Sequence, residues 1–205
     1  MKERAKTLLK VLLWLLLVAG IGTLLLYLPA KRAFTLAQRT GCQSNMAQLD
    51  LALHAHCQGG DRYPPTLTGL SSNDVSPRTF ICPGVNWWQK APHDAALRDM
   101  DKYTDYIYIA GQSPGTPGGT PIIICPPENH HGEGGTVLDA DHSRRWVPCP
   151  EIDRIISNAY ANNHTIVVSA ALTERTKGRY TSRPGTTAPW NPSPSNATSV
   201  TEGPR

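Results

Sequence analysis

LLKVLLWLLLVAGIGTLLLYLPAKRAFTLAQRTGCQSNMAQLDLALHAHCQ, residues 8–58, is the stretch whose reading decides the architecture. From Val11 to Leu28 no side chain carries a charge. At 1.5 Å per helical residue those positions cover about 27 Å, close to a hydrocarbon core of roughly 30 Å. Residues 11–28 therefore read as a transmembrane helix. Pro29 follows, with Lys31 and Arg32 at interface depth, and then Cys42, Met46, Leu49, Leu53 and His56 recur at three- and four-residue spacing. That spacing predicts an amphipathic helix over 29–58, with Gly41 as its weak point and Gly59-Gly60 as its stop. A stripe of this kind cannot be buried by the helix alone, so the residues from 59 to 172 are expected to fold onto it as one domain.

Working outward, residues 1–10 carry Lys2, Arg4, Lys6 and Lys10 against Glu3, which favours a cytoplasmic N-terminus and export of everything after Leu28. The apolar run is longer than the core of a secretory signal, and Leu28-Pro29-Ala30 is a poor cleavage site, so an uncleaved single-pass anchor in the inner membrane is expected. Twenty Lys and Arg are scattered among sixteen Asp and Glu for a net charge of +4, without the clustered basic stripe of a nucleic-acid surface. Nucleic acid is excluded as a partner; membrane lipid is the partner the apolar run implies. Eighteen Pro, seventeen Gly and only two Phe in 205 residues describe a small, loop-rich fold.

Downstream, short β-like runs at 79–82, 103–110, 121–125, 136–140 and 144–147 are separated by Gly, Pro, Asn and Asp, and predict a small, mostly antiparallel sheet. Tyr106 and Tyr108 alternate with Ile107 and Ile109, giving one aromatic and one aliphatic face. A C-terminal helix fits 150–162, opened by Pro150, with Ile152, Ile155, Ile156, Ala159 and Tyr160 on its apolar side. Residues 164–172 read equally as strand or as an extension of that helix. From Thr173 to Arg205 Ser, Thr, Pro, Gly and Asn dominate, and this tail is expected to be disordered. The fold class is α+β.

Several of these segments stand in an order that resembles the pseudopilin-like, prepilin-type proteins with a C-terminal His, nine residues, Asp-Gly signature, of the planctomycete type. Cys42-Gln-Ser-Asn45-Met46 resembles the family's helix pattern. Tyr63-Pro64-Pro65, then Cys82-Pro83, then Tyr106-Ile-Tyr108, then His131 followed by nine residues and Asp141, with Trp146 after, follow in the family's order. His142 stands in place of the Gly. The leader motif is represented only by Lys31-Arg32-Ala33-Phe34-Thr35-Leu36, which lies after the apolar segment and lacks the Gly and Glu of a prepilin peptidase substrate. The resemblance implies a pilin-like fold without catalysis, pilin-like or secretion-system subunits as partners, and a disulfide between Cys42 and Cys82.

Residues 128–142 hold three imidazoles and four carboxylates. Asp139 and Asp141 share a strand face and can meet His130 or His131 across a hairpin, a set compatible with zinc or calcium. The rival to a structural protein is accordingly an extracytoplasmic metal-binding module or metal-dependent hydrolase centred on His130, His131, Asp139 and Asp141. His54 and His56 lie on different helix faces and do not chelate together; His56 reads as a helix-to-sheet contact. Five cysteines outside the cytoplasm allow two disulfides and a free thiol, with Cys125–Cys149 as another pairing.

Overall fold

The structure is a computed structural model, and it describes residues 2–58, 62–70, 75–85 and 99–181. Helix α1 runs from Lys2 to Cys57. The chain divides into two compact units at the boundary between Gln38 and Arg39, and this boundary falls within α1.

The first unit is the apolar part of α1. It is long and apolar enough to cross a membrane, and none of its most apolar window is buried by the rest of the protein. Leu12, Trp14, Leu25 and Leu26 all present their side chains outward. Pro29 is accommodated inside the helix. The hydroxyl of Thr23 donates to the Ala19 carbonyl at 2.8 Å, so this polar side chain is satisfied without water.

The second unit is a layered α+β domain. The C-terminal part of α1 packs on an antiparallel sheet of five strands, ordered β4-β3-β2-β1-β5. A short helix, α2 (Met100–Tyr103), precedes the strands, which are β1 (Ile107–Ala110), β2 (Pro121–Ile124), β3 (Gly134–Asp139), β4 (Arg144–Pro148) and β5 (Thr165–Val167). The first four form a meander. Helix α3 (Cys149–Ala161) then crosses the sheet and delivers β5 to the free edge of β1, with Ala110 opposite Thr165 and Tyr108 opposite Val167. The ambiguous segment 164–172 is thus divided: Thr165–Val167 is a strand, and from Ala170 the chain turns into a separate short helix.

Alternation along β1 explains why the sheet is covered on both faces. Tyr106 and Tyr108 point into one core with Cys42, Met46, Leu49 and Leu53 of α1, while Ile107 and Ile109 join Ile152 and Ile156 of α3 in a second. Neighbouring residues on a strand face opposite sides, so an apolar residue at every position requires a layer on each. The expected stripe on α1 is therefore real, with Cys42, Met46 and Leu49 fully buried.

Two expectations fail here. Residues 79–82 are not a strand: Pro77–Phe80 forms a single 3₁₀ turn, opened by Pro77 and capped by the Ser76 hydroxyl, which accepts the Arg78 N–H at 3.4 Å. The disorder expected from residue 173 is also wrong for its first part. Helix α4 (Ala170–Arg175) carries Leu172 into the second core, and Tyr180 beyond it is completely buried. The Tyr180 hydroxyl donates to Glu128, and Arg179 bridges Glu128 and Asp153 at 2.9 and 2.6 Å. The buried Tyr180 ring and an ion-pair network hold the start of a segment whose average composition reads as disordered. The rest of the expected tail, 182–205, lies outside the described residues, as do Gly59 and Gly60.

Candidate metal centre

Four side chains from four separate segments converge under the sheet. Cys42 comes from α1, Cys82 from the loop after the 3₁₀ turn, Cys125 from the end of β2, and His130 from a second 3₁₀ turn, Pro127–His130. Their ligand atoms all lie within 4.8 Å of one another, and every one of the four residues is buried. The Cys125 thiol donates to Cys82 Sγ at 3.5 Å, and His130 Nε2 lies 3.4 Å from the same sulfur.

Local backbone explains how these segments come so close. A Cβ on Gly41 would meet Pro83 at 3.0 Å, so the residue expected to weaken α1 is the one that lets the Cys82 loop approach it. A Cβ on Gly84 would lie 2.1 Å from the Asn129 carbonyl oxygen and 2.8 Å from His130 Nδ1. Gly84 also donates its N–H to Cys82 Sγ at 3.4 Å, and the Asn129 amide donates to Cys125 Sγ at 3.4 Å. Gly84→Ala is therefore expected to push the two loops apart and destabilise the domain by about 1–3 kcal/mol. Chemical denaturation of the variant checks this, and an unchanged midpoint would show that the loops are not in contact.

The thiols share charge unevenly. Hydrogen bonds from Cys125 and then Cys82 hold the Cys42 thiol far below its ordinary range, against the opposing effect of burial. Burial pushes Cys82 and Cys125 up. Three negative charges together in a dry pocket would repel one another without a cation. Asn129 Oδ1 and His130 Nδ1 have no hydrogen-bond partner among the described residues.

The residues expected to act have different fates. His130 belongs to the centre, and its ring meets Trp146 edge-on at 5.0 Å, with the Arg39 guanidinium 4.1 Å over the same indole. His131 is exposed, in the left-handed region at φ 57°. Asp139 accepts from Arg145 at 2.7 Å. Asp141 accepts from the Ser143 hydroxyl and N–H at 2.7 and 3.1 Å, which hold its carboxyl below the usual range. His131, Asp139 and Asp141 thus join no ligand set with His130; among the described residues the one converging set is Cys42, Cys82, Cys125 and His130. The turn after Asp141 takes positive φ at His142 (66°) without a glycine. His142 reaches Asp50 at 2.8 Å and meets His54 edge-on, which gives α1 a histidine contact to the turn after β3, while His56 is half-buried.

The residues that carry the family resemblance are mostly structural ties. Asn45 donates to the Ile81 carbonyl at 2.9 Å and to the Tyr106 hydroxyl, and Tyr108 donates to the Pro64 carbonyl at 2.7 Å; Tyr63 is buried and donates its N–H to Gln112. Pro65 makes the exposed side of that turn. No disulfide forms among the described residues: Cys42 and Cys82 are neighbours as thiols, together with Cys125, while Cys149 is only partly buried and belongs to α3. The missing signal was distance along the chain: Cys82 is 43 residues from Cys125 and 48 from His130, and no short metal motif joins them. Comparison of the chain with protein-family models, with curated proteins and with solved structures returned no match.

Proposed function

We propose that this protein is a membrane-anchored structural protein of pilin-like build, a component or relative of a type II secretion or type IV pilus-like assembly, without catalytic activity. The observation that carries the reading is α1 itself. One helix holds an uncharged, outward-facing apolar segment and, further on, a stripe of Cys42, Met46, Leu49 and Leu53 that forms the floor of a small antiparallel sheet domain. A purely globular domain has no use for a fully exposed run of this length, and lipid is the environment that satisfies it. The basic residues of 1–10 favour the inner membrane with the domain outside the cytoplasm.

A structural role also suits the buried centre. A catalytic metal site keeps one position open to water or substrate, whereas these four donors are all buried, with their ligand atoms within 4.8 Å of one another. The carboxylates of the hairpin are occupied by Arg145 and Ser143. The test is fractionation of cells expressing the full chain, followed by alkaline extraction, external protease and cross-linking. The expected result is retention in the membrane, digestion of the domain from the outside, and cross-links to further copies or to pilin-like subunits. Release into the soluble fraction, or a mature chain starting near Lys31 or Phe34, would contradict the anchor; a membrane protein that cross-links to nothing would contradict the assembly.

A further inference from the structure

We propose that the domain binds a single zinc ion through Cys42 Sγ, Cys82 Sγ, Cys125 Sγ and His130 Nε2, and that this ion fastens α1 to the sheet. The inference goes beyond the assembly reading and holds whether or not a fibre forms.

The spacing of the donors points to one ion held between them. With Zn–S bonds of roughly 2.3 Å and a Zn–N bond of about 2.0–2.1 Å, the edges of a tetrahedron are about 3.8 Å between two sulfurs and about 3.5 Å between sulfur and nitrogen. The observed separations are 3.5 Å for Cys82 to Cys125 and 3.4 Å for Cys82 to His130. A disulfide would need its sulfurs at about 2.0 Å, with the third thiol and the imidazole left over. The donors are soft, three sulfurs and one imidazole, which suits zinc and excludes calcium or magnesium.

The surroundings support a charged centre. Three thiolates, one neutral imidazole and a divalent cation leave a single net negative charge, and the Gly84 N–H and the Asn129 amide already point at two of the sulfurs. Such donors stabilise thiolate ligands and fix their orientation. Binding breaks the S–H bond of each ligand that still carries a proton, forms an S–Zn bond and releases that proton to water; nothing is oxidised or reduced. Because the ligands come from α1, a loop, the end of β2 and the turn after it, the ion joins segments that only the folded chain brings together.

The experiment is elemental analysis of the full-length protein, extracted in detergent without chelators, together with exchange of the bound ion for cobalt. One zinc per chain and a cobalt spectrum with thiolate charge-transfer and tetrahedral ligand-field bands are expected. Cys82→Ser and Cys125→Ser should reduce the zinc to traces, while Cys57→Ser, Cys149→Ser and Asp141→Ala should retain it. Since a cysteine variant also weakens the fold, the wild-type chain supplies an independent readout: Cys42, Cys82 and Cys125 should resist alkylation until zinc is stripped. Folded, metal-free protein with a disulfide among these three cysteines would overturn the proposal. So would zinc that survives Cys125→Ser and is lost with Asp141→Ala.

Discussion

Asp105→Ala is expected to destabilise the domain by about 3–5 kcal/mol, because it leaves a buried guanidinium without its counter-charge. Asp105 is 1% exposed and its two oxygens serve different segments. Oδ2 accepts the Cys82 N–H at 2.9 Å, and Oδ1 pairs with Arg175 of α4 at 2.5 Å. Its backbone carbonyl accepts the Asn129 amide at 2.8 Å, so the same residue touches both loops that supply the centre. Total stabilities of domains are about 5–15 kcal/mol, and a loss of this size is enough to unfold a marginal one. The check is denaturant unfolding of Asp105→Ala, Arg175→Met and the double variant. If the pair acts as described, the double variant recovers part of the loss, since it removes the orphaned charge. Additive costs would mean that the two side chains do not interact.

The second large effect is at Tyr180. Tyr180→Ala removes a completely buried ring from the core under α3 and is expected to cost about 3–5 kcal/mol, in the range of other aromatic deletions. Tyr180→Phe keeps the packing and loses the hydroxyl that donates to both Glu128 oxygens, at 3.1 and 2.9 Å, for a cost of about 1–3 kcal/mol. Thermal unfolding separates the two. Equal, small shifts would mean that the chain after Arg175 is not part of the folded domain.

This tail shows where a reading of composition stops. Tyr180 is an isolated apolar residue in a polar segment, and its neighbours give no periodicity. Its burial, in one core with Ile107 and Ile109 of β1 and Ile152 and Ile156 of α3, depends on residues far away in sequence. The elements that were legible have a period of their own: the uncharged run at 11–28, the stripe from Cys42 to Leu53, and the Tyr/Ile alternation at 106–109. The buried Cys/His cluster is legible in the sequence only in part. His130 stood out in a cluster of charged residues, but it was grouped with Asp139 and Asp141 because they are close in sequence. In the fold, Arg145 and Ser143 take up those carboxylates, and the true neighbours of His130 are cysteines brought from other elements. Gly41 is a second case. Helix propensity marks it as a fault, and only its contact with Pro83 reveals why a side chain is missing there.

X-ray absorption at the zinc edge, recorded on the full-length protein purified without chelators, tests the centre most directly. The zinc proposal predicts a first shell of three sulfurs at about 2.3 Å and one nitrogen at about 2.0–2.1 Å, with the outer scattering of a single imidazole. A shell made only of nitrogen and oxygen would contradict it.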